Sequence, residues 1–209
     1  EVTVTANKRE NVKDVQMGVE SLVVEELKTI PTAFGELDVI KVVQALPGVK
    51  TMGEASSGLN VRGGSTDQNL IQFNNGTVYN PTHLFGFFSA FNGSIVQDME
   101  LYKGSIPAKF GGRISSVLDI NSRRGNKEKY QGEISLGLLT SSLALEGPLK
   151  KGKTSLLLAG RTTYSDWILN MLPEKSEYKN GKAGFYDANL LLSHQFSQKD
   201  NLYISGYYS

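Results

Sequence analysis

The sequence predicts an irregular α+β unit followed by a run of antiparallel β-strands, and three observations carry that prediction. The 209 residues change character near residue 126, from short apolar stretches broken by dense turn chemistry to longer stretches of alternating apolar and polar residues. Within the first part, Val39, Ile40, Val43 and Leu46 share one face at helical spacing, and Pro47-Gly48 ends the pattern. Within the second part the period is two, the period of a strand with unlike faces.

The elements of the first part follow in order. Val2, Thr3, Val4, Thr5 and Ala6 are β-branched and extended, with a charged cluster at Lys8, Arg9 and Glu10. An apolar patch at 22–27 predicts a short helix stopped by Pro31. Short strands with tight turns are expected over 59–62, 70–73, 99–104 and 117–120. Asn74-Asn75-Gly76 is a hairpin signal, because Asn-Gly supplies the positive φ angles that the tightest hairpin turns require. Phe85, Phe87 and Phe88 form an aromatic cluster in a loop-like stretch.

In the second part, Leu156 and Leu158 oppose Ser155 and Arg161, and Leu190 and Leu192 oppose Asp187, Asn189 and Ser193. Tyr186 and Phe196 bracket one apolar face at a separation of about ten residues, the length of a bilayer-crossing strand. The connections alternate as well, short over 147–153, long over 166–182, short over 197–200. A membrane barrel wall shows that alternation. A soluble antiparallel sheet packed on one face has the same period, so the pattern by itself admits both.

Composition narrows the function classes. With 22 Lys+Arg against 21 Asp+Glu, the formal charge of +1 exerts no general pull on nucleic acid. No cysteine means no disulfide, thiolate metal site or cysteine nucleophile, and two histidines leave little for a zinc site. No apolar run approaches the roughly 20 residues of a membrane-spanning helix. Neither a G-x-S-x-G elbow nor an HExxH pair is present, so no catalytic residue is assigned.

Six pieces, in order, resemble the plug of TonB-dependent outer-membrane receptors. Residues 1–6 resemble the segment offered to the periplasmic energy coupler TonB. Residues 38–49, ending Leu46-Pro47-Gly48-Val49, resemble the plug helix and its "LPGV" end. Val61-Arg62-Gly63-Gly64 resembles the "IRG" strand, and residues 74–79 stand at "DGVPV", with Asn75 in place of the customary Asp. Residues 99–104 resemble "IEVLKG". Residues 110–113 and 117–121 resemble "YGG…GVINI". The wording of residues 79–86 resembles Bacteroidetes-type receptors, although the "GSRGANGV" signature of glycan importers is missing.

The resemblance implies an α+β plug domain followed by antiparallel strands of a transmembrane β-barrel. Residues 1–10 would be the coupling segment, 11–126 the plug and 127–209 about five of some 22 wall strands. It implies TonB, a scarce nutrient and outer-membrane lipid as partners, with no cofactor, no metal and no enzyme activity. Val2, Thr3, Val4, Thr5 and Ala6 would couple to TonB. Tyr79, Asn80, His83 and Phe85 would lie at a substrate-facing apex. Arg62, Lys103, Arg113, Arg123 and Arg124 would contact the wall, whose inward carboxylates would include Glu133, Glu146 and Asp187.

Two other readings compete. Residues 147–154, Gly-Pro-Leu-Lys-Lys-Gly-Lys-Thr, fit the phosphate-cradling pattern G-x-x-x-x-G-K-[ST]. That loop works only between a strand and a helix whose N-terminus meets the phosphates. Residues 155–165 alternate with period two and contain Gly160, Thr162 and Thr163, poor helix material, so a lysine-rich hairpin turn is expected. The other competitor is a secreted soluble β-domain.

Overall fold

The computed structural model describes residues 18–24, 38–50, 58–164, 166–171, 173–174, 176, 181 and 184–209. Two five-stranded sheets dominate. The first contains β1 (Val19–Val23), β4 (Asn69–Phe73), β5 (Gly76–Thr77), β8 (Val96–Tyr102) and β9 (Ser116–Ser122) in the order β1-β8-β9-β4-β5. Its pairs are antiparallel except β4 with β9, which run parallel. A parallel pair needs a long crossover, and residues 74–115 supply it. That crossover carries the small pair β6 (Thr82–His83) and β7 (Phe88–Ser89). The helix α1 (Val39–Gln44) precedes a second small pair, β2 (Val49–Lys50) and β3 (Asn60–Val61).

Asp38 caps α1: its Oδ1 accepts the Lys41 N–H at 3.0 Å, satisfying one of the free amides of the first turn. Its Oδ2 accepts the Ser89 N–H at 2.9 Å, tying the helix start to β7. Val39, Ile40 and Val43 pack on Met99, Leu101, Leu118 and Ile120, all essentially solvent-free. Leu46 packs at the margin of that core. The chain then turns at Gly48, whose φ of +82° is costly for any residue with a Cβ.

The structure corrects two local expectations. Leu22 and Val23, the first two residues of the patch expected to be helical, belong to the edge strand β1, paired to β8 in register from Val19–Tyr102 to Val23–Asp98; Val24 is helical, and 25–27 lie outside the described residues. The β4–β5 hairpin has Asn74 (φ +49°) and Asn75 (φ +67°) as its central residues, with Gly76 already in β5. Asparagine tolerates the left-handed region, and Asn74 Oδ1 also accepts the Ser122 N–H at 3.0 Å.

The second sheet is a meander in chain order: β10 (Gln131–Leu136), β11 (Thr140–Lys150), β12 (Thr154–Thr163), β13 (Tyr186–Gln195) and β14 (Asn201–Tyr208). β11, β12 and β13 have 11, 10 and 10 residues, long enough to cross a bilayer when tilted. The turn at 151–153 joins β11 directly to β12. Residues 147–154 are therefore strand, turn and strand, with no helix N-terminus for a phosphate, and the nucleotide reading falls. After β12 the chain enters a short helix, α2 (Asp166–Asn170). No helix among the described residues is long and apolar enough to cross a membrane, which says nothing of a strand-built wall.

Candidate functional site

The crossover and Phe73 of the first sheet sit against one face of the second sheet, and that contact is the candidate site. Alternation decides which face. Ala144, Leu157, Ala159 and Leu191 point toward the first unit and pack on Ile95 and Phe73. Leu143, Leu145, Leu158, Leu190 and Ile204 point away and stay 43–50% exposed. A sheet that keeps most of its leucines outside and its serines, arginine and aspartate inside is built for an apolar exterior. Water would not support it.

The inward face holds a buried polar cluster near the end of the sheet from which the long connection leaves. Arg161 and Asp187, cross-strand partners, are 4% and 2% exposed. The Arg161 guanidinium donates to Asp187 Oδ2, from Nε at 2.8 Å and also from Nη2. Nη2 donates to the Ser89 carbonyl at 2.6 Å and Nη1 to the Phe91 carbonyl at 3.5 Å. Asp187 Oδ1 lies 2.8 Å from His83 Nε2 and accepts the Tyr207 hydroxyl at 3.0 Å. An ionised carboxylate only accepts, so Nε2 of His83 carries the proton in this contact. The His83 ring stacks on Phe185 at 4.3 Å, and the Arg161 guanidinium covers the same ring at 4.9 Å. Two wall strands thus grip the crossover at His83, Ser89 and Phe91.

A second grip lies toward the short-turn end. Arg123 donates to the Ser94 carbonyl at 2.8 Å and to Glu146 Oε1, with Glu133 at 4.0 Å. Glu146 Oε2 accepts the Asn126 N–H at 2.9 Å, where the chain passes from one unit to the other. Arg124 lies over the Tyr203 ring at 4.0 Å. A Cβ at Gly125 would stand 2.8 Å from the Leu156 carbonyl, so only glycine allows this passage. Between the grips, a polar gap of about 790 Å³ separates Asn74, Asp98 and Asn121 from Ser193, Tyr203 and Ser205.

The remaining sequence-named residues lie elsewhere. Lys103, 8% exposed, donates to Glu20 Oε1 at 2.8 Å and the Pro47 carbonyl at 2.9 Å, both inside the first unit. The Arg62 guanidinium covers Gly18 and Gly104. Arg113 shares with Tyr79 and Asp67 a cavity of about 360 Å³. The Ser65 hydroxyl bond and the Asp67 backbone amide hold the Asp67 carboxyl below the usual carboxylate range. Tyr79 and Asn80 are exposed; His83 instead turns inward to Asp187. Phe85 lies in a short 3-10 turn, Leu84–Gly86. Residues 2–6 lie outside the described residues. Sequence reasoning missed Arg161, Phe185 and Tyr207 as site residues. The available signal was an arginine on the polar side of a leucine-rich strand.

A polar inner unit gripped by the inward face of bilayer-length strands is the geometry of a plugged outer-membrane barrel. The chain matches the family model of the TonB-dependent receptor plug domain over residues 11–117 and belongs to that family. Among solved structures it is similar to the siderophore receptor PirA from Pseudomonas aeruginosa, at 16% identity and TM-score 0.63 over 90% of this chain and 33% of that one. It is also similar to the siderophore receptor PirA from Acinetobacter baumannii, at 18% identity and TM-score 0.64 over 99% of this chain and 33% of that one. At these identities the likeness is one of fold. The chain spans about a third of the length of those receptors. No curated protein matches it.

Proposed function

We propose that the chain is the plug and first wall strands of a TonB-dependent outer-membrane transporter, which takes up a scarce nutrient and is not an enzyme. One observation carries the reading: the plug's crossover and Arg123 are held by charge on the inward face of strands whose outward face is mostly leucine. Residues 1–10 act as the coupling segment, 11–126 as the plug and 127–209 as wall. Substrate arrives from outside and meets the exposed Tyr79 and Asn80, with Phe85 in the same loop. His83 ties that loop to the wall. Binding shifts the plug ensemble and offers Val2, Thr3, Val4, Thr5 and Ala6 to the periplasm. TonB adds to this extended segment as a strand, main-chain bonds carrying the affinity, and draws on the proton-motive force. The fold likeness to two siderophore receptors favours a siderophore-type nutrient, and the wording of residues 79–86 favours a Bacteroidetes-type receptor.

Deleting residues 1–6 from the full-length receptor tests the coupling. Uptake should be lost while the receptor still inserts and binds its nutrient. Uptake that persists at normal receptor levels overturns the role of that segment.

A further inference from the structure

The short-turn end of the wall carries a charge that the chain as a whole does not. Lys127, Lys129, Lys150, Lys151, Lys153 and Lys199 stand there against two carboxylates, Glu128 and Asp200, in a chain whose formal charge is +1. The long connection at the other end balances: over 164–185, Lys175, Lys179 and Lys182 are matched in number by Asp166, Glu174 and Glu177.

Topology gathers these lysines on one rim. The turns at 151–153 and 196–200 are neighbours because β12 pairs with β13, and the Gln195 N–H donates to the Lys153 carbonyl at 2.9 Å. The Gly152 N–H donates to the Lys127 carbonyl at 3.0 Å, which sets 127–129 beside the same turn. Lys127 Nζ donates to Gln195 Oε1 at 3.3 Å, and Asp200 accepts the Ser197 hydroxyl at 2.6 Å. Among the described residues none of the other five lysines is in an ion pair, and all five are exposed.

Exposed lysines on turns are ordinarily just solvated. A band of outward apolar side chains directly beside them sets this group apart. Tyr130 follows Lys129, Leu149 precedes Lys150, and Phe196 lies three residues before Lys199; they are 80%, 62% and 65% exposed. Tyr130 packs where a Cβ of residue 147 would stand, on the face of β11 that shows Leu143 and Leu145, and its hydroxyl donates to the Pro148 carbonyl at 3.0 Å. Phe196 meets the His194 ring edge-on at 4.4 Å, and Leu202, the cross-strand partner of His194, extends the band. Aromatic rings flanking a leucine face mark the boundary of an apolar slab. Lysines one step beyond that boundary lay their stems along it and place their ammonium groups at the level of phosphates.

We propose that Lys150, Lys151 and Lys153, with Lys129 and Lys199, form a docking surface for the headgroups of anionic phospholipid in the leaflet that meets the short turns. The lysines of the 147–154 pattern thus take a phosphate on a strand-turn-strand, where no nucleotide is cradled. An acidic polypeptide would answer the charge alone, whereas an anionic lipid answers the charge with its phosphate and the band with its acyl chains. This rests on the reading of β10–β14 as barrel wall with its leucines toward lipid.

The test uses the full-length receptor in detergent, as wild type, with Lys150→Gln, Lys151→Gln and Lys153→Gln combined, and with the same three positions changed to Arg. Binding of dioctanoyl phosphatidylglycerol and of dioctanoyl phosphatidylcholine is titrated by native mass spectrometry. Each basic residue near an anionic lipid surface is worth about fivefold in affinity, so wild type should prefer phosphatidylglycerol by about tenfold or more. The Gln variant should lose that preference and the Arg variant keep it. Equal affinity for the two lipids in wild type, a preference that survives in the Gln variant, or a loss in the Arg variant overturns the docking surface. So does glycerol phosphate that competes as well as the lipid, which assigns a free phosphate, or polyglutamate that binds more tightly, which assigns an acidic polypeptide. Heat-modifiable migration on gels reports the barrel itself. A wild-type receptor without it overturns the barrel reading, whereas a normal barrel without the lipid preference overturns only this surface.

Discussion

The plug sheet and the wall sheet have five strands each, yet they solve opposite problems. The plug sheet is mixed and crossed over, and its best-buried residues are apolar: Met99, Leu118 and Ile120 are fully enclosed. The wall sheet is a plain meander whose buried side contains Ser155, Arg161, Asp187, Asn189 and Ser193 beside Leu157 and Leu191, while most of its leucines face out. Burying apolar area is worth about 25 cal/mol per Å² against water, so the plug turns its leucines inward. Against hydrocarbon that drive is absent, and exposed polar groups become the expensive ones, so the wall turns its polar side inward. The same alternation serves both, and the surrounding solvent selects which face is inside.

The comparison breaks most severely at Asp187. In the full-length receptor, Asp187→Asn removes the carboxylate charge from the buried Arg161 pair and weakens the hold on His83. Removing one partner of a buried pair costs about 3–5 kcal/mol. The urea concentration at which residues 81–91 become cleavable by added protease should fall clearly below that of wild type. An unaltered midpoint would mean that inward polarity does not hold the plug.

The next effect separates lipid from water. Leu158→Arg faces outward in the middle of β12, where a charge at the bilayer midplane costs about 2–4 kcal/mol. Refolding into phosphatidylcholine vesicles, followed by urea titration, should show that loss. A cost near zero would mean that the leucine face meets water and the wall is a soluble sheet.

The smallest effect sharpens the contrast at the plug's exposed rim. Asp67 is fully exposed and its carboxyl is held low first by the Ser65 hydroxyl. A depressed folded value adds stability above the unfolded value of about 4 and loses it as pH falls through the folded one. Ser65→Ala should therefore lower plug stability slightly at pH 7 and not at all at the acid end of a titration. A Ser65→Ala effect that grows toward low pH would contradict the sign.

Much of the architecture was legible because its causes are local. Leu156, Leu158, Leu190 and Leu192 alternate with polar residues along single strands, and that pattern needs no distant partner to be read. The end of α1 was legible for a similar reason, since Pro47 and Gly48 act on their own backbone. Within the patch at 22–27, Leu22 and Val23 were misread because β1 owes its conformation to pairing with β8, some eighty residues away. His83 was expected at a substrate apex; its ring is held by Asp187, which is 104 positions along the chain.

By itself the sequence determined the helix face ending at Pro47-Gly48, the strand periods and the order of plug motifs, because each is a rule between neighbours. Only the tertiary structure decided which charges meet: Arg123 with Glu146, Arg161 and His83 with Asp187, and Lys103 with Glu20 inside the plug. Pairing across a plug and its wall depends on how one sheet is seated against another. Periodicity along either sheet carries no record of that seating.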